Sequence, residues 1–148
     1  RAVVGWDSAR MNMILAVLDA RCGLPLSQFD VYLNVAGGLR VGEPAADMAV
    51  AAALISAVAD APVPAETVIV GEIGLSGEVR PVGQLESRLK EATKLGFGNA
   101  YTPKNGTQGK KKFAIKGLNQ TEIGHLQDLV NLFGDDVRDK VRPREGMY

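Results

Sequence analysis

A mixed α/β (α+β) domain, with helices packed on a sheet, is the fold class the sequence predicts. Short β-rich apolar runs alternate with segments whose apolar residues recur every three or four positions, and glycine or proline marks most of the junctions between them. A length of 148 residues, 46% of them hydrophobic and 23% charged, suits one globular domain. At this length folding buries roughly 68–70% of the surface of the unfolded chain, so an apolar core suffices without metals or disulfides.

Val3-Val4-Gly5 reads as the tail of a strand, and Asp7 or Ser8 caps a helix carrying Met11, Ile14, Leu15 and Leu18. That helix should stop near Gly23, with Pro25 beyond it. No clear strand precedes it, so the chain is expected to begin inside a domain. Val31, Leu33 and Val35 alternate with Tyr32 and Asn34 in a strand that runs into the Gly37-Gly38 loop. Pro44 then opens a helix to about Ala59, with Asp47 complementing the positive end of its dipole. From Met48 to Ala59 this helix is apolar nearly all round, which predicts burial.

After Pro62 and Pro64, Thr67–Val70 reads as a buried strand. Gly74-Leu75-Ser76-Gly77 is a turn, and Glu78–Arg80 returns as a short antiparallel strand. Leu85, Leu89, Ala92 and Leu95 mark a helix from Gln84, closed by Gly96. Asn99–Thr102 is a further strand, followed by a Lys- and Gly-rich loop over Pro103–Lys112 and a short strand over Phe113–Ile115. A last helix is predicted from Asn119 to Gly134, with Glu122 completing a capping box. The domain is thus expected to span residues 1–134, and the charge-rich residues 135–148 to form a mobile tail.

Composition excludes several function classes. Seventeen basic residues balance seventeen acidic ones, against the uniformly basic surface of a dedicated nucleic-acid binder. The longest apolar stretch, Met48–Ala59, falls short of the ~20 residues of a membrane span. A lone Cys22 forms no intrachain disulfide and fits a reducing compartment, so a soluble intracellular protein is expected. The sequence has no phosphate-binding Gly-x-x-x-x-Gly-Lys motif, no Gly-x-Gly-x-x-Gly fingerprint and no Cys-x-x-Cys. One His and one Cys cannot build a zinc site of the usual kind, and His125 reads as a surface or half-buried helical residue.

Two stretches carry the chemistry. Gly37-Gly38-Leu39-Arg40-Val41-Gly42-Glu43-Pro44-Ala45-Ala46-Asp47 is a glycine-rich loop entering the positive end of a helix, where backbone N–H groups can stabilise an oxyanion. Ala45 occupies the position that would present a nucleophile. The second stretch is Gly71-Glu72-Ile73-Gly74-Leu75-Ser76-Gly77-Glu78-Val79, followed by a helix.

In this order and spacing the two stretches resemble the proteolytic domain of the Lon family, of the wider ribosomal protein S5 domain 2-like group. There, a Gly-Pro-Ser-Ala-Gly pattern carries a serine and the helix after the Gly-Glu-Ile-x-Leu-x-Gly-x-Val hairpin carries the lysine of a Ser–Lys dyad. Over about Val3–Pro103 the chain resembles more specifically the C-terminal Lon-like domain of the RadA (Sms) family of bacterial DNA-repair and recombination ATPases. The carriers are Gly5-Trp6-Asp7-Ser8-Ala9-Arg10, Asn34-Val35-Ala36-Gly37-Gly38, Pro44-Ala45-Ala46-Asp47, Gly77-Glu78-Val79-Arg80-Pro81-Val82 and Arg88-Leu89-Lys90-Glu91-Ala92.

Set against the Lon pattern, Ala45 stands at the serine position, and counting from Gly83 places the lysine position on Glu86. Losing both removes nucleophile and base together. Asp47 replaces a small residue beside the nucleophile, where a carboxylate repels a developing oxyanion. The resemblance therefore implies a catalytically inactive scaffold or oligomerisation domain, free of catalytic residues, metal and cofactor. It implies self-assembly into a hexameric ring on DNA in the bacterial cytoplasm, without membrane contact, with ATP, Mg and Zn handled by other parts of the parent protein. The same comparison implies that the first strands of the domain precede Arg1. Lys104, Lys110, Lys111, Lys112 and Lys116 are the candidate DNA contacts, through phosphate neutralisation and counterion release. Two alternatives stay open: a Lon-type peptidase whose dyad has moved to Ser87 and Lys90, three apart on one helix face, and a stand-alone nucleic-acid-binding module.

Overall fold

The computed structural model describes residues 1–104 and 114–141. Among the described residues, seven strands and five α-helices follow one another as β1 (Ala2–Val4), α1 (Ser8–Cys22), β2 (Tyr32–Asn34), α2 (Asp47–Ala59), β3 (Thr67–Ile69), β4 (Glu72–Ile73), β5 (Val79–Arg80), α3 (Leu85–Lys94), β6 (Asn99–Pro103), β7 (Asn119–Ile123), α4 (Leu126–Asn131) and α5 (Val137–Lys140). β1 and β2 pair in parallel, β3, β6 and β7 form a second parallel sheet in the order β3-β6-β7, and β4-β5 is an antiparallel hairpin. The mixed α/β reading holds.

The helix starts follow local chemistry. Asp7 Oδ1 accepts the N–H groups of Ala9 and Arg10 at 2.8 and 3.1 Å, and Gly23 closes α1 in the left-handed region at φ +67°. Pro44–Ala46 form a single 3₁₀ turn before α2. Met11, Ile14, Leu15 and Leu18 of α1 and Met48, Ala51, Ala52 and Ile55 of α2 are buried together with Leu126, Leu129 and Val130 of α4 in the main core. Each large side chain so buried contributes about 1.5–3 kcal/mol. A smaller cluster joins Ala45, Val70, Leu85, Leu89 and Ala100 under α3.

Four expectations change. α2 is not buried all round: Met48, Ala51, Ala52, Ile55 and Ala59 face the core while Ala53 and Ala57 are exposed on its outer side. The helix predicted over Asn119–Gly134 is a strand followed by a short helix. Asn119–Ile123 pairs residue for residue with Asn99–Pro103, and the Gln120 amide donates to Thr102 Oγ1 at 2.8 Å. Sheet pairing overrides the local cap signal, and the working cap lies six residues later: His125 Nδ1 accepts Gln127 N–H at 2.9 Å while Asp128 Oδ2 accepts His125 N–H at 3.1 Å. Of the strand expected over Phe113–Ile115, Phe113 lies outside the described residues and Ala114 and Ile115 belong to no strand. Finally, the packed domain does not end at residue 134. Residues 135–141 include α5, with Val137 and Val141 in the main core, while residues 142–148 lie outside the described residues. Among the described residues no helix is long and apolar enough to cross a membrane.

Candidate functional site

The loop into α2 is clamped against the segment between β3 and β4. Gly71 N–H donates to Ala45 O at 2.8 Å, and Met48 N–H donates to Gly71 O at 3.0 Å. The clamp needs glycine at 71: a Cβ there would lie 2.9 Å from Val79 Cγ1 and 3.2 Å from Met48 Cε. Ala45 is thereby fixed at the mouth of the helix, its methyl group directed among Val70, Leu89 and Ala100.

Asp47, two residues on and the first residue of α2, is fully buried and fully engaged. Its carboxylate accepts Arg10 Nε at 2.7 Å, Arg10 Nη2 at 2.5 Å and the backbone N–H of Ile73 at 3.1 Å. The hydrogen bond to Asp47, together with the charge of that carboxylate, holds the Arg10 guanidinium above its ordinary range against the opposing effect of burial. Three elements, α1, α2 and β4, meet on this one carboxylate. The charge beside the helix start is therefore neutralised by a cation that the sequence reading did not single out, although Arg10 lies inside the Gly5–Arg10 motif.

A cleft of about 180 Å³ opens beside Ala45, walled by Val68, Val70 and Leu89 and rimmed by Glu43 and Arg88. Arg88 Nη2 is ion-paired with Glu43 Oε1, and Arg88 Nε donates to Gly83 O at 2.8 Å. That pairing holds the Glu43 carboxyl below the usual carboxylate range. Of the α3 residues, Arg88 and Leu89 line this cleft beside Ala45, and Glu86 does not. The reason is the phase of the helix. Gln84 adopts a left-handed conformation at φ +58°, α3 starts at Leu85, and at about 100° per residue Glu86 and Arg88 fall on opposite flanks of the Leu85-Leu89-Ala92 stripe. Glu86 is exposed and pairs with Lys90 at 3.3 Å, and Ser87 is exposed on the same outer side, so neither Ser87 nor Lys90 lines the cleft.

The hairpin motif is explained by packing. Gly77, at φ +86°, lies against the imidazole, so that a Cβ would come within 2.6 Å of His125 Nε2. Since His125 Nδ1 accepts from Gln127, Nε2 carries the proton and donates to Ser76 O at 2.9 Å. The imidazole bridges the hairpin turn to α4. It is half-buried, as one of the two expectations had it, and stands at the N-cap of α4 rather than inside a helix. Lys104 and Lys116 are exposed, whereas Lys110, Lys111 and Lys112 lie outside the described residues. Among the described residues, no three His, Cys, Asp or Glu side chains gather into a possible metal-ion shell.

Residues 21–132 match the family model of the Lon protease (S16) C-terminal proteolytic domain. The chain belongs to this family. Within it, the curated relatives bear the name DNA repair protein RadA. That of Brucella abortus (strain 2308) is 60% identical over 130 residues, covering 88% of this chain and 27% of the relative. That of Rickettsia bellii is 48% identical over 137 residues, 90% of this chain and 28% of the relative, and that of Synechocystis sp. is 54% identical over 107 residues, 72% and 21%. The likeness is therefore to a Lon-like domain of RadA, and the chain spans about a quarter of the length of these relatives.

Proposed function

We propose that this chain is a catalytically silent Lon-type domain serving as the scaffold and assembly unit of a RadA-type DNA-repair and recombination ATPase. One observation carries the reading: the cleft beside the start of α2 is lined by Ala45 and, as its basic side chain, by Arg88. A methyl group offers no nucleophile, and a guanidinium, protonated at all working pH values and here engaged by Glu43 and Gly83, cannot accept a proton from one. The buried Arg10–Asp47 pair adds a structural use of the helix start, tying three elements together where a peptidase needs an unobstructed oxyanion site.

In this reading the domain assembles with copies of itself into a ring, a hexamer by the family resemblance, in the bacterial cytoplasm. ATP, Mg and Zn belong to the remainder of the parent protein. The five lysines from Lys104 to Lys116 border DNA passing the ring. The silent-site reading is tested by incubating the chain with a serine-directed fluorophosphonate probe and with unfolded casein. Neither labelling nor cleavage is expected. Labelling lost on Ser87→Ala, or cleavage lost on Lys90→Ala, overturns the silent site in favour of a relocated dyad. Replacing Lys110, Lys111 and Lys112 by Ala in the full-length protein is expected to weaken DNA binding and flatten its salt dependence. An unchanged salt slope removes these residues from the interface.

A further inference from the structure

We infer that residues 135–141 form a conformational clasp that closes over the C-terminal ends of α1 and α2 and opens as a unit without unfolding the domain. α5 has four residues, too few to be helical in isolation. It is held by two kinds of contact. Val137 and Val141, four residues apart and each 1% exposed, enter the main core as a pair of apolar anchors. Between them, two cations reach the ends of two different helices: Arg138 Nε donates to Cys22 O at 2.9 Å, and Lys140 Nζ donates to Ala59 O at 3.0 Å.

Those two carbonyls are the negative poles of α1 and α2. α1 has a basic residue of its own, Arg21, in its last turn, but α2 has none, and Asp60 follows it directly. With the clasp open, the end of α2 is an uncompensated negative pole beside an aspartate. Lys140 supplies from more than eighty residues away the cation that the helix lacks. Arg138 is fixed in turn by Gln127 of α4 at 2.9 Å, so the closed clasp joins three helices.

The segment is also hinged. Gly134, at φ +116°, separates it from α4, and backbone hydrogen bonds tie the segment to itself: Asp139 and Lys140 N–H donate to Asp136 O, and Val141 N–H to Val137 O. Two anchors and two cations, all on one short segment behind a glycine hinge, can be lost together while the cores of α1, α2 and α4 stay packed. Since α1 carries Arg10 and α2 carries Asp47, closure of the clasp at one end of these helices steadies the ion pair at the other.

Native-state amide exchange under low denaturant, read by NMR on the chain and on Arg138→Met/Lys140→Met and Val137→Ala variants, tests this. Amides of Asp139, Lys140 and Val141 are expected to exchange through an opening whose denaturant slope is well below that of amides in mid-α1. Both variants are expected to accelerate that opening about tenfold, together with the Gly23 and Ala61 amides that close α1 and α2, and to leave mid-α1 amides nearly unchanged. The inference is overturned if α5 amides exchange with the slope and rate of mid-α1. It is equally overturned if the variants speed Val141 but leave Gly23 and Ala61 untouched.

Discussion

Replacing Asp47 by Ala isolates the central element of the site. The carboxylate is fully buried and accepts three hydrogen bonds, two from Arg10 and one from Ile73 N–H. Removing one member of a buried ion pair costs about 3–5 kcal/mol, because the other is left without compensation. The Arg10 side chain is 27% exposed and can turn partly to water, which moves the expected loss to the lower end. The Ile73 N–H, left without its acceptor, adds to it, for a total of about 3–4 kcal/mol. For a domain of about 150 residues that corresponds to a drop in Tm of roughly 6–16 °C. Differential scanning calorimetry and urea unfolding measure it, and Asp47→Asn, which retains an acceptor for Ile73, is expected to lose less. The double variant Arg10→Met/Asp47→Leu should recover most of the Asp47→Ala loss, since an apolar pair of similar volume often replaces a buried ion pair without penalty. A loss below about 1 kcal/mol for Asp47→Ala, the range of an exposed pair, would refute the assignment of Asp47 as the buried tie between α1, α2 and β4.

Three further outcomes are expected. Cys22 is fully buried and its thiol is pushed up by burial, so Ellman's reagent should react with it only on unfolding in urea; rapid stoichiometric reaction of the native chain would contradict its placement. Glu43 lies below its ordinary range because of Arg88, so its small contribution to stability is present above the usual carboxylate range and is lost as pH falls through the lowered folded-state value. Urea midpoints of the chain and of Glu43→Gln should then differ slightly at pH 7 and converge in strong acid, and a difference that widens on acidification would reverse the sign. Gly77→Ala meets both a positive φ and His125 Nε2 at 2.6 Å, and should destabilise by about 2 kcal/mol in chemical denaturation, with His125→Ala/Gly77→Ala losing less than the sum of the two single changes.

The sequence made some of this legible and not the rest, for physical reasons. α1 and the start of α2 are specified locally, by Asp7, Gly23 and Pro44, and needed no tertiary information. The hairpin was readable because its glycines stand where side chains approach too closely for a Cβ, Val79 and Met48 at Gly71, the Glu78 carboxylate at Gly74 and the imidazole at Gly77. Asn119–Ile123 misled because its side chains are mostly polar, so neither period shows in it, and its strand identity comes from β6 alone. His125 reads as helical because histidine is an uncommon cap, and the reciprocal bond from its N–H to Asp128 shows only in the fold. α5 was missed because two valines four apart make too short a pattern to stand out in a charged segment. Counting from Gly83 places the lysine position of the Lon pattern on Glu86, whereas which α3 side chains line the cleft is set by the helix phase after the left-handed residue at Gln84.

The presence of Arg88 in the lining bears on the chemistry proposed for the cleft. Glu86, at the lysine position by count, is exposed and paired with Lys90, so a serine restored at 45 would find no base there. Arg88 leaves a cation in the lining, differing from a catalytic amine in that a guanidinium does not lose its proton while a lysine amine can when its surroundings are desolvated. On the proposed reading, Ala45→Ser and Arg88→Lys would place a hydroxyl and an amine beside a backbone already clamped by Gly71, with the Arg10–Asp47 pair still at the helix start. The Glu43 carboxylate opposes a base there, because it would hold the new amine protonated. The double variant is expected to remain inert toward a fluorophosphonate, and adding Glu43→Gln should give slow labelling at high pH. Equal labelling of the double and triple variants would show that Glu43 does not control the base position.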